Sequence, residues 1–328
     1  MSSIYIKVCL LKLLIPVIVL VTGVSGLAQE VPAGSANSIP LGGKQNPLRV
    51  LLIGNSFSQN ASAYLIEISR EAGHELVIGH AEIGGCSLQK HWDLAELARK
   101  EPDNPKGRPY QGKSLQMLLS EGEWDVITLQ QYSMLSADLE TYMPYVKNLF
   151  NMIKRSQPKA EIVLHQTWAY RSDSKKFGQI SDKKFAATEK EMYEKSRAAY
   201  HTVADSLGVR IIPTGDAFWM ISNDPKWRYK KDEKFNFDDH TYPDLPDQTN
   251  SLHKGYIWDG NQKLKFDTHH ASNAGKYLGS LVWYSFLFRE PARKVHFVPA
   301  DVPAKFAAGL RKCADKVKKI NKRSGQTH

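Results

Sequence analysis

Residues 49–58 read Arg49-Val50-Leu51-Leu52-Ile53-Gly54-Asn55-Ser56-Phe57-Ser58. The run from Val50 to Ile53 is apolar throughout and does not alternate with polar residues. That pattern describes a strand covered on both faces, as in a parallel sheet. It ends at Gly54, and a helix-like stretch follows. In an open parallel sheet, ligands bind outside the carboxyl ends of the strands. Ser56 would therefore present its hydroxyl at such a crevice, near a helix N-terminus whose free N–H groups favour negative charge. A serine after a strand is more often an ordinary helix cap, so the motif needs support from elsewhere in the chain.

The same pattern recurs along the chain. Short runs rich in Val, Ile and Leu lie at 75–80, 124–129, 161–166 and 209–212. Between them, 61–72 carries Leu65, Ile68 and Ala72 at helical spacing, 141–155 carries Tyr145, Leu149 and Ile153, and 184–207 is long and mixed in charge. Strands alternating with helices imply right-handed βαβ units. The expected class is α/β, a three-layer α/β/α sandwich around a mostly parallel sheet of about five strands. No internal repeat is evident.

Two segments depart from this rhythm. Residues 216–262 hold Trp219, Trp227, Tyr229, Phe235, Phe237, Tyr242, Tyr256 and Trp258 with little periodicity. Such an insertion is expected to be a lid or binding loop. From Pro303 the chain reads as a basic helix with Phe306, Leu310, Cys313 and Val317 along one side, ending in a lysine-rich tail. The expected organisation is a signal peptide at 1–28, a flexible linker at 29–47, a catalytic-type domain at 48–290 with the insertion inside it, and a C-terminal helix and tail at 291–328.

The first segment rests on Lys7 and Lys12, an apolar run from Leu13 to Val24, and the small residues Ser25, Gly26 and Ala28. A basic start, a short apolar core and a small-residue exit describe a secretory signal. The run is shorter than the roughly 20 residues needed to cross a bilayer. The expectation is export to a periplasmic or extracellular space, with no stable membrane insertion after cleavage. Cys9 sits too early for a lipoprotein cysteine. Cys86 and Cys313 remain, and an oxidising compartment would permit but not require their pairing.

Across 328 residues, 42% are hydrophobic and 24% charged, which is ordinary globular composition. The formal net charge of +10 would suit an acidic polysaccharide, nucleic acid or anionic lipid, or simply a lysine-rich surface. No zinc-finger spacing, RNP motif or basic-plus-heptad pattern is present, so no nucleic-acid partner is expected.

A second chemical signal lies at Asp267-Thr268-His269-His270, followed by Ala271-Ser272-Asn273-Ala274-Gly275. An acid three residues before a histidine, in a turn leading into a helix, can point both side chains the same way. The carboxylate would then fix the imidazole tautomer and support the imidazolium. The same cluster could suggest a metal, but a metal site needs three or four convergent ligands. No HExxH or cysteine pair supplies them, and no metal is expected.

Taken in order, these pieces resemble the SGNH (GDSL-like) hydrolase superfamily. Its nucleophile block corresponds to Gly54-Asn55-Ser56, with Asn where Asp is usual, and its last block to Asp267, His270 and Gly275. The second block corresponds to Gly84-Gly85-Cys86-Ser87. The third block departs from the family pattern, because 124–129 runs into Gln130-Gln131-Tyr132-Ser133 and offers no asparagine. A glutamine amide can donate the same hydrogen bond from one methylene further out.

The resemblance implies a flavodoxin-like fold, Ser56 as nucleophile, and Asp267 and His270 as the rest of a triad. It implies an oxyanion hole at Gly85 with Gln130, or else Gln131, and no cofactor. The function it implies is a serine esterase acting on acyl esters; the secretory signal, basic charge and aromatic-rich insertion make an exported enzyme acting on O-acetyl groups of carbohydrate the first reading. A lipase or thioesterase, a non-catalytic carbohydrate-binding protein on the same fold and a metal-dependent phosphoesterase are the alternatives. Asn55, Gln131, Trp168, Tyr170 and Trp258 are candidate substrate contacts, and His91 and His165 are positions where packing competes with function.

Overall fold

The five apolar runs become five strands of one sheet. They are β1 (Leu48–Gly54), β2 (Leu76–Glu82), β3 (Val126–Leu129), β4 (Glu161–His165) and β7 (Arg210–Ile212). A small hairpin of β5 (Gln179–Ser181) and β6 (Lys184–Phe185) precedes the last. The strand order is β2-β1-β3-β4-β7 and every pairing is parallel. These facts come from a computed structural model that describes residues 46–324, with side chains through 317. The expected signal peptide at 1–28, nearly all of the expected linker and the end of the basic tail lie outside the described residues.

Side chains alternate across a strand, and β1 shows the consequence. Val50 and Leu52 enter a core cluster with α1 (Ser56–Ala61), α2 (Leu65–Glu71), α7 (Thr214–Ser222), α8 (Asn273–Leu287) and α9 (Ala304–Ser324). Leu51 and Ile53 enter a second cluster with α3 (Leu88–Lys100), α4 (Leu115–Leu119), α5 (Tyr145–Ser156) and α6 (Glu189–Leu207). The result is the expected three-layer α/β/α sandwich.

The chain leaves β1 for β2 on one side and later returns to β3 on the other. That reversal opens a crevice beside the carboxyl end of β1, where this class of sheet binds ligands. Ser56 follows β1 directly and so stands at the crevice.

Two expectations need correction, and one open question is answered. The helix expected at 61–72 starts only at Leu65, as α2, while α1 already ends at Ala61; between them Ser62 Oγ turns back to the Ser58 carbonyl and the Tyr64 N–H is taken by Ser280 Oγ. The insertion is not irregular throughout. It begins inside α7 and ends in a hairpin of β8 (His253–Trp258) and β9 (Leu264–Ala271), where the aromatic side chains pack across strands instead of around a helix. Cys86 and Cys313 are both free and buried, and burial pushes each thiol up to about 12. Phe306, Leu310, Cys313 and Val317 are buried as one face of α9. Among the described residues no helix is long and apolar enough to cross a membrane.

Candidate active site

Ser56 opens α1, and Asn55 caps that helix by accepting the Phe57 N–H on its side-chain oxygen. Being first in the helix, the Ser56 N–H has no intrahelical acceptor. From the far end of the chain, β9 brings Asp267 and His270 to the same place. Gly255 pairs with Asp267 while His253 pairs with Ala271, so one residue on β8 faces three on β9. A bulge of this kind re-aims side chains, and here it turns His270 toward Ser56.

The resulting contacts form a line. Asp267 Oδ2 lies 2.8 Å from His270 Nδ1, and His270 Nε2 lies 3.0 Å from Ser56 Oγ. Asp267 Oδ1 accepts the backbone N–H groups of His269 and His270 at 3.3 and 3.0 Å. Burial works against this carboxylate, but hydrogen bonds from the His270 ring and backbone outweigh it and hold the carboxyl well below the usual carboxylate range. An ionised carboxylate only accepts, so Nδ1 carries the imidazole proton and Nε2 is left to accept from the Ser56 hydroxyl.

Behind the serine, a buried chain of hydrogen bonds crosses all five strands in sheet order. Beyond β7, the Thr214 hydroxyl lies 3.1 Å from His165 Nε2, and His165 Nδ1 lies 2.8 Å from Gln130 Oε1. The Gln130 amide donates to Asn55 Oδ1, and Asn55 Nδ2 donates to the Cys86 carbonyl at 2.9 Å, beyond β2. A carboxamide oxygen only accepts, so His165 donates from Nδ1 and accepts from Thr214 at Nε2. Burial lowers the His165 pKa to about 3, which keeps the ring neutral. His91 braces the same edge, with Nε2 donating to the Gly54 carbonyl at 2.9 Å.

This network corrects several sequence-derived roles. Gln130 is 1% exposed and bonded at both ends of its amide, so it holds Asn55 and does not face the crevice. Asn55 is buried and spent on Phe57, Gln130 and Cys86, which removes it from substrate contact. Gln131 accepts from Leu88 and Tyr132 and donates to Thr141, leaving nothing for an oxyanion. Trp168 is no stacking platform. Its ring is buried between Phe57 and Phe218 at 4.3 and 4.4 Å, and its Nε1 donates to the His269 carbonyl. Tyr170 is buried with its hydroxyl 3.1 Å from Ser133 Oγ.

Gly85 lies exposed in the turn between β2 and α3, and its φ of 65° falls in the left-handed region that favours glycine. Trp258 sits further along β8 with its Nε1 donating to the Asp244 carbonyl. It lines an open cleft of about 1310 Å³ with Phe266, the residue before Asp267.

Sequence reading passed over two residues and weighed a third, His269, only as a metal ligand. Asn60 Oδ1 accepts the Ala271 N–H, tying α1 to the residue after His270. Arg171 donates its N–H to the Thr268 carbonyl and forms a buried bidentate pair with Asp173 at 2.7 and 2.9 Å. His269, half-buried, places Nδ1 3.4 Å from Asp267 Oδ1, and burial, then the adjacent His270, lower its pKa. Nothing in the residue types or spacing flags the first two.

Asp267, His269 and His270 have ligand atoms within 4.8 Å of one another and could touch a metal ion. An ion there would compete for the atoms that Asp267 and His270 already share, and among the described residues no fourth His, Cys or carboxylate completes the set.

A family model described as a domain of unknown function, DUF4886, matches residues 49–242. A crystal structure of a DUF4886 family protein from Bacteroides uniformis shares the fold, with TM-score 0.63 and 22% identity over 84% of this chain and 95% of that one. More distant is a protein from Slackia heliotrinireducens described provisionally as an SGNH hydrolase, at TM-score 0.44 and 20% identity over 73% of this chain and 98% of that one. A mutant acetyl-xylooligosaccharide esterase from Geobacillus gives TM-score 0.37 and 11% identity over 76% and 95%. No curated protein matches the sequence. The family match covers more than half of the chain and takes in Ser56, Gly85 and Gln130, and the chain belongs to the DUF4886 family.

Proposed function

We propose that this chain is a serine esterase of the SGNH type, exported from the cell, that removes acyl groups from carbohydrate. The observation that carries the proposal is the Ser56–His270–Asp267 line, with contacts of 3.0 and 2.8 Å and the tautomer that nucleophile activation requires. His270 Nε2 takes the Ser56 proton as Oγ attacks the ester carbonyl. Asp267 orients the ring and balances the imidazolium. The backbone N–H groups of Ser56 and Gly85 meet the oxyanion, and such donors contribute about 3–4 kcal/mol each when properly aimed. His270 then protonates the leaving alcohol, and water frees the acid by the same route. Acetylated sugars are favoured as substrate because the cleft beside Asp267 is wide, aromatic and polar.

The test is hydrolysis of a small acetyl ester together with fluorophosphonate labelling, on the wild-type protein and Ser56→Ala. The wild type should turn over and label at Ser56, and the variant should lose about a thousandfold or more, as expected for a triad member. Equal rates for both proteins, or a wild type that neither turns over nor labels, would sink the esterase reading. The second of those outcomes would favour a carbohydrate-binding protein on the same fold.

A further inference from the structure

We propose that the cleft walled by the β8–β9 hairpin binds anionic sugar units, so that the substrate is an acidic acylated polysaccharide. This deepens the esterase reading and rests on it. The cleft has a volume of about 1310 Å³ and is walled largely by the β8–β9 hairpin, the strand pair that also delivers Asp267 and His270. Phe266 in its wall is four residues from His270. At the rise of an extended strand that is at most about 13 Å, and the bulge of β9 shortens it. A polymer held in the cleft therefore reaches Ser56 within a few sugar units.

Its chemistry is specific in sign. Lys175, Lys231, Lys263 and Lys265 line it, against the single carboxylate of Asp173. Asp173 is already neutralised by the two hydrogen bonds from the buried Arg171. Lys231 and Lys265 each have one loose carboxylate contact, to Glu233 at 3.5 Å and Asp259 at 3.6 Å. Lys175 and Lys263 are exposed and, among the described residues, have no carboxylate partner. Four ammonium groups around a wide opening leave a surplus of positive charge, and such clefts concentrate anions.

The aromatic content decides what kind of anion. Tyr256 and Phe266 stack face to face at 4.0 Å and 1°, and Trp258 stands half-buried between His240 and Tyr242 at 5.6 and 5.7 Å. Arg171 lies under the pair, 5.4 Å from the Tyr256 ring centre and 4.8 Å from that of Phe266, which fixes the platform in place. On this platform the exposed Tyr242 and half-buried Trp258 offer amphipathic ring surface to the C–H side of a pyranose, while Thr241 and Gln262 offer hydrogen bonds to hydroxyls. A polynucleotide is the competing occupant, since lysines and aromatics also serve single strands. The cleft lacks the exposed arginine forks that favour phosphate, because Arg171 is 2% exposed and committed to Asp173 and Gln248.

The probe is an ester-free oligogalacturonate titrated into Ser56→Ala, with a xylo-oligosaccharide of equal length as the neutral control. The acid oligomer should bind at least about tenfold more tightly than the neutral one, a difference of about 1.4 kcal/mol. Its affinity should fall steadily with added salt. Lys175→Glu with Lys263→Glu should weaken it by about tenfold or more, and both positions are exposed, so folding is not at risk. Equal binding of the neutral oligomer would overturn the proposal. So would absence of binding, indifference to charge reversal, or tighter binding of a single-stranded oligonucleotide of equal charge. The titration needs no turnover, so its failure leaves Ser56 labelling intact, while failure of labelling leaves the titration readable.

Discussion

Asn60 Oδ1 accepts the Ala271 N–H at 2.7 Å, across 211 positions of sequence. Ser56 is on the first turn of the same short helix, and His270 immediately precedes Ala271. One side chain thus couples the element carrying the nucleophile to the strand carrying the base. Asn60→Ala removes the acceptor and frees the bulge of β9 to drift. Misplacement of about 1 Å can cost about a hundredfold in rate, so kcat on a small ester should fall by about ten- to a hundredfold with KM nearly unchanged. Asn60→Asp keeps an acceptor oxygen and should recover much of the loss. Equal defects in both variants, or a loss confined to KM, would remove Asn60 from this positioning role.

Gln130 separates scaffold from catalyst. Truncation to alanine leaves the buried His165 Nδ1–H without an acceptor and takes one donor from Asn55 Oδ1. An unsatisfied buried group costs about 1–3 kcal/mol. At about 2–4 °C per kcal/mol for a domain of this size, the melting temperature should fall by several degrees. Thermal denaturation and steady-state kinetics of Gln130→Ala check this together. An unchanged melting temperature with a loss of a hundredfold or more in kcat would make Gln130 an oxyanion donor after all.

The sheet was legible because parallel strands are continuous apolar runs, and 49–53, 75–80, 124–129, 161–166 and 209–212 each stand within two residues of an observed strand boundary. Asp267 and His270 were legible through spacing, although they stand at the bulge of β9 and not in the expected turn, since there too an aspartate can accept the N–H groups two and three residues on. The substrate contacts were read poorly, and for one reason. Trp168, Tyr170, Asn55 and Gln131 do lie at the carboxyl edge of the sheet, as expected, but sequence does not tell which side of that edge a side chain takes. Each is buried and bonded within the protein. The β8–β9 hairpin was hidden because its aromatics pair across strands, and no helical or alternating pattern records that.

Three buried histidines set an acid limit on the fold. Burial lowers the pKa of His91 and of His253 to about 4 and that of His165 to about 3, against 6.5 for the free side chain. Below pH 6.5 the unfolded chain takes up protons that the folded chain refuses. The stability held by neutral burial is therefore complete above that pH and drains away as pH falls toward 4. Melting temperature measured across this window should drop, and His253→Gln, which keeps a polar group near the Ala169 carbonyl, should make the profile shallower. A melting temperature flat from pH 6.5 to 4 would contradict the burial of these rings.

Gly275 carries the last test, because it fixes where the helix after the triad begins. Ser272 caps α8 by accepting the Gly275 N–H at 3.2 Å, while its own N–H donates to the Leu252 carbonyl at 2.9 Å and its hydroxyl to the Ser251 carbonyl at 2.7 Å. The start of α8 is thereby pulled onto the chain just before β8. A Cβ at 275 would lie 2.1 Å from the Leu252 carbonyl oxygen and 3.0 Å from Ala271 Cβ. Backbone cannot rotate aside as a flexible side chain can, so Gly275→Ala must lift α8 or displace Ala271. Overpacking of this kind costs about 1–3 kcal/mol. Displacement of Ala271 also moves His270, its immediate neighbour, and breaks the 2.7 Å tie to Asn60. Gly275→Ala should therefore melt several degrees lower and lose activity together, and Gly275→Ala with Asn60→Ala should lose less than the product of the two single effects. Independent, fully multiplicative losses would mean that the cap of α8 and the alignment of the triad are separate features of the fold.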